Sequence, residues 1–162
     1  MFTGEEIVTE LLTLGITHVV WLPDSTLGPW EQALQAASAR GLHLVRVCRE
    51  AEAWAIAMGL ELGGARPIVM IQCTGLFDSG DSLRSALYDY GMPLFAVVGY
   101  RNALNPTAND SARDYTEPNL RSWNISYQLI DRPEKLGELA AHYQSCRAAG
   151  QPGVVLLAEG KL

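Results

Sequence analysis

Several absences narrow what this 162-residue chain can be. Its three cysteines, Cys48, Cys73 and Cys146, contain no C-x-x-C pair, which fits a reduced compartment and argues against structural zinc. Lysine and arginine total 12 against 18 aspartates and glutamates and form no cluster. Neither nucleic acid nor an anionic membrane is therefore an expected partner.

Two more absences concern targeting and cofactors. No apolar run approaches the length of a membrane span, and residues 2–6 are acidic where a secretion signal would be basic, so we expect a cytoplasmic protein. No G-x-G-x-x-G motif follows the first apolar run, which disfavours a dinucleotide site. The remaining composition, 48% apolar and 19% charged, is that of an ordinary globular protein, and the length fits one domain over residues 1–162.

Apolar runs of strand length alternate with helical patterns about six times along the chain. The predicted strands are His18–Leu22, Leu42–Val47, Pro67–Gln72, Leu94–Val98, Tyr127–Ile130 and Val154–Leu157. Helices are expected between them, whereas residues 73–80 and 100–118 are predicted to be irregular. The alternation predicts an α/β fold, an open and mostly parallel six-stranded sheet with helices on both faces.

Polar loops follow the first three predicted strands. They read Pro23-Asp24-Ser25-Thr26, Cys48-Arg49-Glu50-Ala51-Glu52-Ala53 and Gln72-Cys73-Thr74-Gly75-Leu76. Open parallel sheets bind ligands at the carboxyl ends of their strands. We therefore expect the functional residues in these three loops.

Glu50 is the most informative residue of these loops, because it stands where a strand ends and an alanine-rich helix begins. A carboxyl group with apolar neighbours is suited to sharing a proton with a ligand nitrogen. On spacing alone, the favoured interpretation is an acid that stabilises the helix N-terminus, because acids are common in the first turn of a helix. The residues alone leave both interpretations open.

A family resemblance favours the first interpretation. The segment Glu50-Ala51-Glu52-Ala53-Trp54-Ala55-Ile56-Ala57-Met58-Gly59 resembles the pyrimidine-domain signature of thiamine diphosphate enzymes. Four more segments resemble the sulfopyruvate and phosphonopyruvate decarboxylases of that superfamily: Pro23-Asp24-Ser25, Gln72-Cys73-Thr74-Gly75-Leu76, Tyr100-Arg101 and Glu117-Pro118-Asn119. The resemblance covers most of the chain, and its segments follow in the family's order.

The resemblance implies a role for each candidate residue. Glu50 would be catalytic, hydrogen-bonding N1′ of the cofactor's aminopyrimidine ring and favouring its 4′-imino tautomer. The other expected cofactor contacts are Pro23, Gln72, Thr74 and Gly75, and the expected substrate contacts are Asp24, Ser25 and Arg101. Asp24 or Ser25 would equally serve as a helix cap, Gln72 and Thr74 as partners of loop backbone groups, and Arg101 as half of a surface ion pair.

The resemblance also implies a partner. Family members bind the cofactor's diphosphate through Mg²⁺ in a second domain, which can be a separate subunit, and we expect a diphosphate-binding (beta) subunit to supply it here. No metal ligand is expected in this chain, and His18, His43 and His142 are expected to be structural. Exposed apolar residues such as Leu76 and Phe77 are expected to help form the subunit interface.

The substrate is less constrained by the resemblance. The family usually has Asn-Ser-Gly-Leu-Gly-Asn after the glutamine, whereas this chain has Cys73-Thr74-Gly75-Leu76-Phe77-Asp78, and a family histidine is replaced by Leu120. A small anionic 2-oxo acid is expected, and a bulkier or less polar one stays open. Two other functions also stay open, a thiamine diphosphate-dependent carboligase and a non-catalytic Rossmann-like binding domain.

Overall fold

The computed structural model describes residues 2–159, so the expected domain of residues 1–162 is described except at its two ends. Residues 2–159 form a six-stranded sheet in which every neighbouring pair of strands is parallel. The strands are β1 His18–Trp21, β2 His43–Arg46, β3 Pro67–Gln72, β4 Phe95–Tyr100, β5 Ser126–Ile130 and β6 Gly153–Ala158. Their order in the sheet is β2-β1-β3-β4-β6-β5. The predicted open α/β fold is confirmed.

Helices cover both faces of the sheet. They are α1 Gly4–Thr13, α2 Glu31–Ala36, α3 Glu50–Leu62, α4 Cys73–Arg84, α5 Ser111–Ser122 and α6 Gly137–Ala149. Helices α1, α2 and α6 pack on one face, and α3, α4 and α5 pack on the other. All six residues of β3, β4 and β6 are buried, as expected for central strands covered on both faces.

The boundaries of α1 and α3 follow from local sequence. Thr3 accepts a hydrogen bond from the Glu6 amide while the Glu6 carboxylate accepts one from the Thr3 amide, so the two residues form a capping box. Helix α3 begins at Glu50 as predicted, and its buried Ala53, Trp54 and Ala57 face the sheet. The small side chains of Ala53 and Ala57 let the helix approach the strands closely.

The predicted loop at residues 73–80 is wrong, because α4 begins at Cys73 directly after β3. A tertiary contact explains the helix: the Trp54 indole N–H donates to Ser79 Oγ over 2.7 Å, and Ser79 Oγ donates to the Gly75 carbonyl. Leu76 is 2% exposed, so its expected exposure at an interface is wrong as well. The helix kinks at Gly80, whose φ of 25° favours glycine.

The predicted irregular segment 100–118 is wrong in its second part, because α5 begins at Ser111 and includes Pro118. The Asp110 carboxylate caps the helix by accepting from the Ala112 amide over 3.1 Å. Thr116 and Leu120 are fully buried, and this burial keeps the helix in place despite the missing amide hydrogen of the proline. Residues 25–40 are also less regular than predicted, since short 3₁₀ turns flank α2.

No helix within residues 2–159 is both long enough and apolar enough to cross a membrane.

Candidate active site at the carboxyl edge of the sheet

The Glu50 side chain lies against the backbone of α4. Glu50 is half-buried at the first turn of α3, and an ideal Cβ built on Gly75 would be 2.8 Å from its Oε1 and 3.0 Å from its Cδ. Only a glycine at residue 75 leaves room for the carboxylate in this position. Among residues 2–159, no protein group donates a hydrogen bond to that carboxylate, so both of its oxygens can accept from a ligand.

A chain of hydrogen bonds joins residues at the carboxyl ends of β1, β3 and β6. Gln72 Nε2 donates to Thr26 Oγ1 over 2.7 Å, and Thr26 Oγ1 donates to Glu159 Oε1 over 2.7 Å. Thr26 also packs on β4, because a Cβ on Gly99 would be 2.5 Å from its methyl carbon. Loop β1–α2, the end of β3 and the residue after β6 are therefore fixed to one another.

The carboxylates of Asp24 and Glu159 both accept hydrogen bonds from Thr26. Asp24 Oδ1 accepts from the amides of Thr26 and Leu27, at 2.6 Å and 2.9 Å, while Thr26 Oγ1 donates to Glu159. The other Asp24 oxygen, Oδ2, is buried without a hydrogen-bond partner in the described chain. Burial is the main cause that raises the pKa of Glu159, and the negative charge of Asp24 adds to it.

Arg101 holds Asp110 with both arms of its guanidinium group. Its Nε and Nη2 donate to the two Asp110 carboxylate oxygens at 2.8 Å and 2.9 Å, and Nη1 lies 3.4 Å from Gln72 Oε1. Asn102 donates to Asp110 as well, over 2.7 Å. These donors, Arg101 first, hold the pKa of Asp110 far below its usual range. Asp110 is 6% exposed, so it is a buried counter-charge to Arg101.

The structure brings most of the expected site residues to this edge of the sheet. Thr74 Oγ1 donates to Gln72 Oε1 over 3.0 Å, so Gln72, Thr74 and Arg101 form one contact group. Pro23 and Ser25 are exposed in the loop after β1. Asp24 accepts from the amides of the turn at residues 25–27, and neither Asp24 nor Ser25 caps a helix, because α2 begins only at Glu31 and has no side-chain cap. The expected substrate contacts of Asp24 and Ser25 stay predictions.

The residues that depart from the family pattern do not line one surface. The Cys73 side chain is fully buried, where burial raises the pKa of its thiol, with the Thr116 hydroxyl as a hydrogen-bond neighbour. Phe77 is 41% exposed on the outer side of α4, and Asp78 pairs with Arg49 at 3.2 Å. The Cys73 thiol is thus directed into the core.

Three residues at this edge were not among the sequence candidates: Thr26, Glu159 and Asp110. Thr26 stands in a polar loop already considered, and Glu159 is the first charged residue after a buried strand, so strand-end position was an available signal for both. Asp110 was hidden by the expectation of an irregular segment. An acid just before a helix is a common helix cap, and this pattern could have identified Asp110.

A cavity of about 320 Å³ lies beside this site, next to the ends of β4 and β6. The Tyr100 hydroxyl lies 3.3 Å from Glu117, and Glu117 also accepts from Tyr127 over 2.7 Å and from Arg121 over 3.3 Å. Burial and the Glu117 charge raise the pKa of Tyr100 to about 12, so its hydroxyl stays protonated at neutral pH. Tyr100, Glu117 and Pro118, which belong to two of the segments that carry the family resemblance, line this cavity.

Comparison with known proteins agrees with the resemblance. No family model matches the chain. A phosphonopyruvate decarboxylase of Streptomyces viridochromogenes is 27% identical over 154 residues, which are 92% of this chain and 37% of that protein. The crystal structure of benzoylformate decarboxylase from Polynucleobacter necessarius matches all of this chain with a TM-score of 0.70 and 23% identity.

The chain shares its α/β fold with one part of the benzoylformate decarboxylase chain. The chain corresponds to 32% of the benzoylformate decarboxylase chain and 37% of the phosphonopyruvate decarboxylase, so it spans about a third of the length of either protein. The similarity to each of these two decarboxylases is therefore confined to one part of that protein.

Proposed function

We propose that this chain is the pyrimidine-binding subunit of a thiamine diphosphate-dependent 2-oxo acid decarboxylase. The observation that carries the proposal is the position of the Glu50 carboxylate, which lies at the carboxyl edge of the sheet against the bare backbone of Gly75. It has no protein donor in the described chain, so its carboxyl group can share a proton with a ring nitrogen of the proposed ligand. The sequence similarity to a phosphonopyruvate decarboxylase supports the same function.

The residues present fit an aminopyrimidine ring. Glu50 would hold a proton between its carboxyl oxygen and the ring nitrogen N1′, a contact for which the glycine at residue 75 leaves space. Thr74 donates its only hydroxyl hydrogen to Gln72, so its oxygen keeps a lone pair for the ring's amino group. When bound, thiamine diphosphate supplies a thiazolium ring that accepts the electron pair released as carbon dioxide leaves.

Gln72 has both ends of its amide engaged, by Thr26 on one side and by Thr74 and Arg101 on the other. We therefore give it the role of fixing the two threonines around the ring, and Pro23 the role of bordering it. Buried hydrogen-bond networks of this kind keep side chains in one geometry and so pre-organise a site.

The charges at this edge bear on the substrate. The acids Asp24, Glu50, Asp78, Asp110 and Glu159 outnumber the bases Arg46, Arg49 and Arg101, and all three bases are already paired. An anionic 2-oxo acid such as phosphonopyruvate or sulfopyruvate therefore needs positive groups from outside this chain. Ser25, exposed in the loop after β1, can still donate a hydrogen bond to the substrate carboxylate.

A partner subunit would supply those positive groups. We propose that a diphosphate-binding (beta) subunit carries the Mg²⁺ ion and the diphosphate contacts, and that the active site forms where it covers the Glu50 edge. The exposed aromatic side chains of Phe77 and Tyr115, 41% and 64% exposed, border a shallow apolar cavity on the same side of the molecule. Exposed apolar surface of this kind is typical of a protein interface.

The test is decarboxylation of a panel of 2-oxo acids by the chain copurified with its native partner, with and without thiamine diphosphate and Mg²⁺. Glu50→Gln removes the acidic proton site but keeps the side-chain size, and turnover should fall at least a hundredfold. Glu52→Gln is the matched control two residues along the same helix, because Glu52 is exposed and accepts only from the Cys48 amide. It should keep near-normal turnover.

The outcomes separate the competing functions. Cofactor-dependent release of an aldehyde that is lost in Glu50→Gln supports the decarboxylase. A new carbon–carbon bond in the product would identify a carboligase instead. If the complex binds no thiamine diphosphate and Glu50→Gln behaves as the Glu52→Gln control, the proposal is wrong and Glu50 is a helix-terminal charge.

A further inference from the structure

Two histidines lie side by side at the amino ends of β1 and β2, at the opposite end of the strands from Glu50. His18 is the first residue of β1 and His43 is the first residue of β2, and the two are direct partners in the parallel register. Both side chains are therefore on the same face of the sheet. Their ring centres are 5.2 Å apart, His18 is half-buried, and His43 is exposed.

We propose that His18 and His43 bind a divalent transition-metal ion of the kind that prefers imidazole ligands, such as Zn²⁺, Ni²⁺ or Cu²⁺. The ring spacing supports the site. A metal ion bound at about 2.0–2.1 Å by a ring nitrogen lies about 3.2 Å from the ring centre. Two rings at a tetrahedral angle of about 109° then have centres about 5.2 Å apart, which is the separation seen here.

A neighbouring threonine orients the His18 ring. Its Nδ1 lies 2.9 Å from Thr17 Oγ1, which accepts from the Arg66 amide over 2.9 Å and faces the Arg66 carbonyl at 3.4 Å. When Thr17 donates to that carbonyl, its oxygen accepts the His18 Nδ1–H, and Nε2 is left with a free lone pair. Metal-binding histidines commonly donate their second ring nitrogen to such a partner.

The two rings are the whole protein contribution to the site. Within residues 2–159 no group of three or more His, Cys, Asp or Glu side chains is arranged to hold a metal ion. Water would complete the coordination, so the bound ion stays exposed to solvent and exchangeable. Binding would cross-link β2, which is an edge strand, to β1. Mg²⁺ prefers oxygen ligands and is not expected to bind here.

The experiment is a calorimetric titration of the untagged full-length chain with Zn²⁺, and separately with Mg²⁺. It uses a Cys48→Ser background, because the exposed Cys48 thiol is itself a metal ligand. The background protein should bind one Zn²⁺ ion, and its thermal midpoint should rise with the Zn²⁺ concentration. Mg²⁺ should give neither effect.

Histidine variants test which side chains bind the Zn²⁺ ion. His43→Ala changes an exposed side chain, so it should fold normally and bind Zn²⁺ at least tenfold more weakly; His18→Ala should do the same. His142→Gln removes the remaining histidine, on α6, and should bind Zn²⁺ as the background does. The proposal is overturned if the background does not bind Zn²⁺ at millimolar concentration, or if His43→Ala binds as tightly as the background.

Discussion

The Glu50 carboxylate and the Gly75 backbone occupy touching positions at the starts of two neighbouring helices, and a methyl group on residue 75 would be 2.8 Å from Glu50 Oε1. Neither residue by itself would indicate an accessible carboxylate. A glycine near the start of α4 weakens the helix, and an acid in the first turn of α3 is common. Together they leave a carboxylate accessible at the strand ends.

Gly75→Ala should therefore displace Glu50 and lower turnover of the complex toward the level of Glu50→Gln. It should also lower the free energy of unfolding of the chain by about 1–3 kcal/mol, because a methyl group is forced into occupied space. Gly59→Ala is the control, since a Cβ there meets nothing within 4 Å. It should stabilise the chain by about 0.5–1 kcal/mol through helix propensity. Urea unfolding and turnover check both, and equal effects of the two variants would contradict the packing.

Asp110→Asn should destabilise the chain by about 1.5–3 kcal/mol at pH 7, because an amide cannot accept both arms of Arg101. The pKa of Asp110 is lowered in the folded state, so its stabilisation is present above the ordinary pKa of about 3.9 and is lost as the pH falls below it. The difference in unfolding free energy between wild type and Asp110→Asn should thus shrink between pH 5 and pH 2.

The control for Asp110 is Asp114→Asn. Asp114 is 52% exposed and pairs with Arg113 at the surface, so its removal should change stability by no more than about 1 kcal/mol. Denaturant unfolding at several pH values measures both variants. A difference for Asp110→Asn that stays constant down to pH 2 would show that the carboxylate charge is not responsible.

The change in unfolding free energy caused by Glu159→Gln should have the opposite sign to that caused by Asp110→Asn. The pKa of Glu159 is raised in the folded state, so the stability it contributes is full below the ordinary pKa of about 4.3 and is lost as the pH rises through the folded value. A neutral amide avoids the cost of a buried charge and can still accept from Thr26. Glu159→Gln should stabilise the chain at pH 7, with no gain near pH 3, as measured by urea unfolding. A loss of stability at pH 7 would contradict this assignment.

Thr26→Val should lower the free energy of unfolding by about 1–3 kcal/mol, because Gln72 and Glu159 both lose their shared hydroxyl partner while the side-chain shape is kept. Thr26→Ser keeps the hydroxyl and loses the methyl group that packs on Gly99. If hydrogen bonding dominates, the serine variant should be the more stable of the two. The reverse order would show that packing on β4 is the larger effect.

Phe77→Ser should weaken association with the proposed partner subunit at least tenfold without unfolding the chain, because 41% of Phe77 is already exposed. Leu62→Ser is the control, since Leu62 is 71% exposed at the far end of α3. Analytical ultracentrifugation of the mixed subunits measures both variants. Equal affinities for the two variants would place the interface elsewhere.

The sequence predicted regular elements best where one pattern was strong and local. The strand Pro67–Gln72 was predicted with its observed ends, and α3 was predicted to begin at Glu50. Both follow from buried apolar runs and the polar residues that end them. The start of α4 was missed because its glycines and serine favour a loop, and the Trp54–Ser79 hydrogen bond that favours the helix joins residues 25 positions apart.

The candidate site shows the same division between features that follow from local sequence and features that depend on tertiary contacts. The sequence by itself determined the sheet, the order of its elements and the residue Glu50 at the end of a strand, since alternating apolar runs and first-turn acids are local signals. Only the tertiary structure decided that Gly75 makes room for Glu50, that Thr26 joins Gln72 to Glu159, and that Arg101 is held by Asp110. Apart from the Arg101–Asp110 pair, which lies within the connection between β4 and α5, these contacts join residues that follow different strands, and the sheet brings those strand ends to one edge.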